Sequence, residues 1–181
     1  MLKLTNKILI YFILFIFCSA HSPWSSYLNY RAKHLLIMSV KTDAPTYPFS
    51  ELLIKYINKE LPEAQSKPAR AKDFERVQSL FSTNQMPLVL LSKQNAKDLI
   101  NGEGEFKEFG STDANVLYGF GDLILLIQPS LPNRHAWLLL NALKKSKSVF
   151  KDGISPDKLA DIGEAHPGAI MALNGEEMPD S

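Results

Sequence analysis

His34-Leu-Leu-Ile-Met-Ser-Val-Lys41, Thr42-Asp-Ala-Pro-Thr46 and Tyr47-Pro-Phe-Ser-Glu-Leu-Leu-Ile-Lys-Tyr-Ile-Asn-Lys-Glu-Leu61 follow one another without a break. The first piece is an apolar run of strand length. The second is a polar turn. The third carries apolar residues at Phe49, Leu52, Leu53, Tyr56, Ile57 and Leu61, a spacing that lines one face of a helix. The reading is strand, loop, helix. In open α/β sheets a ligand sits beyond the carboxyl ends of the strands, where helix N-termini offer free N–H groups. The loop at residues 42–47 is therefore the first place where function is expected.

Working outward, Pro62 ends the helix because proline cannot continue the hydrogen-bond ladder. Residues 65–72 alternate weakly and read as an edge strand, since Pro68 argues against a central one. Asp73 is a good N-cap for a helix with Phe74, Val77, Leu80 and Phe81 on its inner face. Pro87-Leu-Val-Leu-Leu91 is a continuous apolar run, suited to a strand covered on both sides. A short helix is expected at residues 96–101, stopped by Gly102 and Gly104. Residues 103–112 read as a charged surface loop. Residues 116–118 and 123–127 read as strands around the turn Gly119-Phe-Gly-Asp122. Asn133 is expected to cap a helix over residues 134–149, with Trp137, Leu140 and Leu143 inward, and residues 156–162 to form a short helix. Strands alternating with helices imply an α/β fold: three layers, a mostly parallel sheet flanked by helices. A single core is expected to hold Ile37, Val40, Leu52, Leu53, Ile57, Leu80, Leu88, Leu90, Leu126 and Leu140.

The 181 residues suffice for one domain with a real core, and 20 basic against 19 acidic residues give no reason to expect nucleic acid as a partner. There is no P-loop, GxGxxG, cysteine pair or HExxH, and the four histidines have no metal-ligand spacing. Neither a metal nor a cofactor is expected.

The N-terminus reads as a targeting segment. Lys3 and Lys7 precede 11 unbroken apolar residues, Ile8 to Cys18, and then the small residues Ser19 and Ala20. This is the order of a secretory signal, and the run is shorter than the about 20 residues of a spanning helix. The expected division is a signal at 1–20, a linker at 21–33, one domain at 34–169 and an acidic tail at 170–181. Cleavage after Ala20 removes the only cysteine, so no disulfide can staple the mature chain. Two alternatives stay open: lipidation at Cys18, despite the bulky Phe17 before it, and retention of residues 8–18 as a membrane anchor.

Several short pieces resemble one family. They are the apolar strand with its Thr-rich loop, Tyr47-Pro48 opening the helix, Asn58-Lys-Glu-Leu-Pro62 closing it, Arg76-Val-Gln-Ser-Leu80, and Asn101-Gly-Glu-Gly-Glu-Phe106. Later come Leu125-Leu-Ile-Gln-Pro-Ser-Leu-Pro132 and, most specific of all, His166-Pro-Gly-Ala169. In this order they resemble the TAXI-type solute receptors of TRAP transporters. The resemblance implies a type II periplasmic-binding-protein-like fold, a small organic acid or amino acid such as glutamate as ligand, and membrane transporter subunits as partners. Two departures stand out. Thr42-Asp-Ala-Pro-Thr46 has no glycine where the family has a glycine-rich loop. The receptors are two-lobed, whereas here the first-lobe pieces run straight into the closing pieces near residues 112–115, leaving about one lobe.

The candidate ligand contacts are Thr42, Asp43, Thr46 and Tyr47 after the first strand, Ser92, Lys93 and Gln94 after the strand at 88–91, and Tyr118 beside the glycine turn. Lys93 would meet a ligand carboxylate, and Asp43 an amine. The plainer readings make Thr46 a helix cap, Asp43 and Ser92–Gln94 ordinary turn residues, and Tyr118 and Phe120 core aromatics. His166 reads as a turn histidine, with no serine or cysteine partner for catalysis. Glu103, Glu105 and Glu108 read as a solvated loop, because acid–base chemistry needs held geometry. No constellation supports an enzyme. Two functions remain: an exported solute-binding receptor domain in the periplasm, or a single-lobe relative that has lost solute binding and serves as an envelope protein-interaction module. One lobe buries little of a ligand, so solute affinity should be low unless a homodimer pairs two lobes.

Overall fold

A computed structural model describes residues 33–146, 149, 150 and 152–180. The expected signal or anchor segment and nearly all of the linker lie outside the described residues. Among the described residues no helix is long and apolar enough to cross a membrane.

The unit formed by residues 34–181 is α/β. Its sheet contains β1 (Leu36–Val40), β2 (Lys67–Ala71), β3 (Leu88–Ser92), β4 (Asn115–Phe120), β5 (Leu123–Ile127) and β6 (Gly153–Ile154), in the order β2-β1-β3-β5-β4-β6. β2 and β3 both pair with β1 in parallel. β5 then runs antiparallel to β3 and β4, and β6 antiparallel to β4. The sheet is therefore mixed. The expected parallel arrangement holds for β2-β1-β3, and the hairpin β4–β5 supplies the reversed strand, because a two-residue turn can only join antiparallel neighbours.

The helices are α1 (Thr46–Glu60), α2 (Phe74–Ser82), α3 (Lys93–Asn101), α4 (Asn133–Lys145) and α5 (Pro167–Asn174). α2 starts as its sequence predicts: the Asp73 side chain accepts the Arg76 N–H at 2.9 Å. α3 begins three residues earlier than expected and ends at Gly102, whose φ of 69° is the left-handed stop that glycine favours. Asn133 is the first residue of α4 rather than its cap, and that helix ends at Lys145, not near Val149. The 156–162 segment is only a short 3-10 turn over Pro156–Leu159. The packed chain also continues past Ala169, since α5 runs to Asn174 with Ala172 buried.

The sheet separates two apolar layers. Met38, Val40, Val77, Phe81, Val89, Leu91 and Leu99 belong to the layer under α2 and α3. Ile37, Leu53, Ile57, Leu88, Leu90 and Leu140 belong to the layer under α1 and α4. This corrects the expectation of a single core, and β1, β3 and β5 read as unbroken apolar runs because both faces are covered. Leu52 is a second correction: it is 56% exposed, because α1 buries Leu53, Ile54, Tyr56 and Ile57 instead.

Candidate functional site

β1 connects through α1 to β2, and β3 through α3 to β4. α1 covers one face of the sheet and α3 the other. The chain thus leaves the neighbouring strands β1 and β3 in opposite senses, which makes their carboxyl ends the crevice where an open α/β sheet takes a ligand. The loops at residues 41–45 and 92–93 meet there.

That crevice is bridged from within. The Asp43 carboxylate accepts the Ser92 backbone N–H at 2.8 Å. Ser92 is the N-cap of α3 and has no capping bond from its own side chain. A carboxylate at a helix N-terminus is stabilised both by the hydrogen bond and by the helix dipole. Asp43 is only 6% exposed. Its carbonyl oxygen accepts the Thr46 N–H at 2.9 Å and the Thr46 hydroxyl at 2.6 Å, and that hydroxyl also reaches the Val40 oxygen at 3.2 Å. Thr46 is consequently a buried loop clasp, not a helix cap. The cap position of α1 belongs to Pro45, which follows a cis peptide bond.

The remaining expected contacts are distributed around this bridge. The Lys93 N–H donates to the Asp122 oxygen at 2.7 Å, pinning α3 to the β4–β5 turn. Its ammonium lies 3.3 Å from Asp161, which Lys97 also approaches at 3.2 Å. These two lysines hold the Asp161 carboxyl below the usual range, with Lys97 contributing most. Gln94 donates to Asp98 at 2.8 Å. The Tyr47 ring lies under the Arg70 guanidinium, 4.5 Å from its centroid. Thr42 is exposed at the head of the loop. Tyr118 belongs elsewhere: it is buried in the α1–α4 layer, in edge contact with Phe120 at 5.1 Å, and burial pushes its phenol pKa up. The structure brings Asp43, Thr46, Ser92 and Lys93 to one edge, but satisfies most of their polar groups internally.

Next to the bridge, on the α2–α3 side, an open groove of about 730 Å³ begins at Thr42. Phe74 and Phe109 line it, with the carboxylates of Asp73, Glu75, Glu105 and Glu108. The Asp73 carboxyl is held below its ordinary value, chiefly by the Arg76 N–H, and so stays ionised at neutral pH. Sequence reasoning named Asp73 only as a cap and Glu105 and Glu108 only as a solvated loop. The loop is anchored by Phe106, fully buried and 5.3 Å from the Phe74 ring, which brings the two acidic stretches together. Among the described residues no group of three or more His, Cys, Asp or Glu side chains is placed to hold a metal ion.

No family model matches this sequence, and no curated protein matches it at a significant level.

Proposed function

We infer that this chain is an exported, non-catalytic single-lobe module that works by binding a protein partner, rather than by clamping a free solute. The observation that carries this reading is the Asp43–Ser92 bridge: the α3 N-terminus, which would otherwise face a ligand's carboxylate, already holds one. Lys93, the cation expected to meet such a ligand, is paired with Asp161. The groove beside the bridge is acidic and partly aromatic, which favours a basic segment on the partner. The resemblance to TAXI-type receptors supports descent from a solute-binding lobe of periplasmic-binding-protein type. It adds no ligand, because the loop that would contact one is the part that departs.

A second reading keeps solute reception, feeding a TRAP-type transporter in the periplasm. It is favoured by Thr42, which stands both in the expected ligand loop and at the head of the groove. In that case the ligand carries an amine, matched by the surrounding carboxylates.

Calorimetry separates the two. The interaction-module reading expects amino acids and dicarboxylates, glutamate included, to bind more weakly than about 1 mM, or about −4 kcal/mol. A lysine-rich peptide should bind measurably at low salt and weaken as salt rises, while a glutamate-rich peptide should not bind. Tight binding of any free acid, lost in Lys93→Ala, would instead establish the solute receptor.

A further inference from the structure

His166 joins three parts of the fold, and both of its ring nitrogens are engaged. The side chain is buried. Nδ1 accepts the Gly168 N–H at 3.2 Å, which is the capping bond of α5. Nε2 lies 3.1 Å from the Leu131 carbonyl oxygen. A carbonyl only accepts, so Nε2 carries the proton and Nδ1 is bare. The backbone is equally engaged: the His166 N–H donates to Val116 in β4 at 3.2 Å, and its oxygen accepts the Ala169 and Ile170 amides. Two residues on, a Cβ on Gly168 would sit 2.2 Å from the Asn133 oxygen, so α5 is seated directly on the start of α4.

We propose that His166 is a proton-operated latch: a proton on Nδ1 removes the acceptor for Gly168, sets a second N–H against the first, and frees the N-terminus of α5 from β4 and α4. A cation there also opposes the helix dipole. Burial holds the imidazole below its ordinary value, and bonds to the Leu131 and Pro129 backbone partly offset it. Titratable or charged groups come from three of the packed elements. β4 brings the Tyr118 phenol; the segment leading from β6 brings Glu164 and, on the 156–159 turn that packs against β4 and α5, Asp157 and Lys158; α4 brings the exposed Arg134 and His135 in its first turn and, in its last, Lys144, which donates to the Ala172 oxygen at 3.1 Å. The 128–132 turn and α5 bring none. None of these groups sets the ring's titration, so no carboxylate is at hand to welcome the proton.

The sign follows. The released ring titrates near 6.5 and the latched ring lower. The closed form therefore has its full advantage above about pH 6.5 and loses about tenfold per pH unit below it, until the depressed value is reached. Opening uncovers Ala169 and Ala172, which otherwise complete the apolar layer over α4.

Hydrogen exchange by NMR on the full chain, from pH 7.5 to 5 and corrected for intrinsic exchange, tests the latch. Protection of the Gly168, Ala169 and Ile170 amides should fall about tenfold per pH unit below 6.5, while the β3 amides keep theirs. His166→Asn, which can cap without titrating, should flatten that slope. Should that variant not fold, the imidazole nitrogen shifts of the parent protein decide, with a bare Nδ1 expected at pH 8. Unchanged protection across the window, a slope retained in His166→Asn, or a proton on Nδ1 at pH 8 would each overturn the latch.

Discussion

The Asp43 carboxylate and the Ser92 amide, 49 residues apart in sequence, meet at 2.8 Å. The bond closes the gap between the two strands whose connections diverge, and it joins the first βα turn to the third helix. Asp43→Ala should cost about 1–3 kcal/mol, because a buried amide loses its acceptor. Asp43→Asn, which keeps an oxygen there, should cost less. Urea midpoints at unchanged m would show this, and a change within about 0.5 kcal/mol for the alanine variant would mean the bridge does not hold the loop.

Leu90 is fully buried in β3. Leu90→Ala should destabilise by about 2–5 kcal/mol, the range for a truncated core leucine. Leu52→Ala, on the exposed side of α1, should stay within about 0.5 kcal/mol. Equal costs at the two positions would contradict the way α1 lies on the sheet.

Gly168, the second residue of α5, and Gly175, just past its end, are glycines for different reasons. Gly175 has a φ of 73° with open space around it, so alanine there should cost only the left-handed strain of about 1–2 kcal/mol. Gly168 faces the Asn133 backbone, which cannot swing aside as a side chain can. Gly168→Ala should therefore cost more than Gly175→Ala and should lower the melting temperature further, a ranking that thermal unfolding reads directly.

The Tyr118 hydroxyl is buried and has no hydrogen-bond partner among the described residues. Tyr118→Phe keeps the ring against Phe120 and removes the unmet group. It should leave stability unchanged or raise it by about 1 kcal/mol. A loss of more than about 1 kcal/mol in chemical denaturation would show that the hydroxyl is bonded after all.

Lys97 and Lys93 hold the Asp161 carboxyl below its ordinary value. A depressed carboxylate favours the folded state above the ordinary range near 3.8, and that advantage is lost as pH falls through the lowered value. Lys97→Ala should move the Asp161 titration upward in carboxyl-detected NMR. A larger upward shift in Lys93→Ala would reverse the order of the two contributions.

The parts of the fold legible in the sequence are those fixed by neighbours. Asp73 announces α2 because a cap and its amide lie three residues apart. Pro68 marks β2 as an edge strand because a missing N–H is intolerable between two strands. Gly119 misleads. It looks like a turn residue but lies inside β4, where an added Cβ would come within 3.0 Å of Leu159 and 3.2 Å of Ile154. The actual turn is Gly121-Asp122. Phe106 is hidden by the charges of Glu105, Lys107 and Glu108, and its distant partners, Phe74 and the rest of the α2–α3 layer, explain its burial. Asp43 reads from the sequence as a ligand contact, but its partner is an amide 49 residues away that no local spacing reveals.

Both margins of the sheet are blunt. At one side, Lys67 donates to Leu35 and Lys41 to Ala71, so the N–H groups of β2 alternate inward and outward, with Pro68 on the outward side. Among the described residues of β2, Arg70 alone is left there with an amide to offer. At the other side, β4 is met by Gly153 and Ile154 at one end and by Glu164 and His166 at the other. Recruitment of a foreign strand, the common route to edge-to-edge stacking and fibres, finds little template at either margin among the described residues. Among the described residues, a second copy or a partner that approaches this sheet from either side therefore meets a proline, a two-residue strand or a returning loop before it meets a long open ladder.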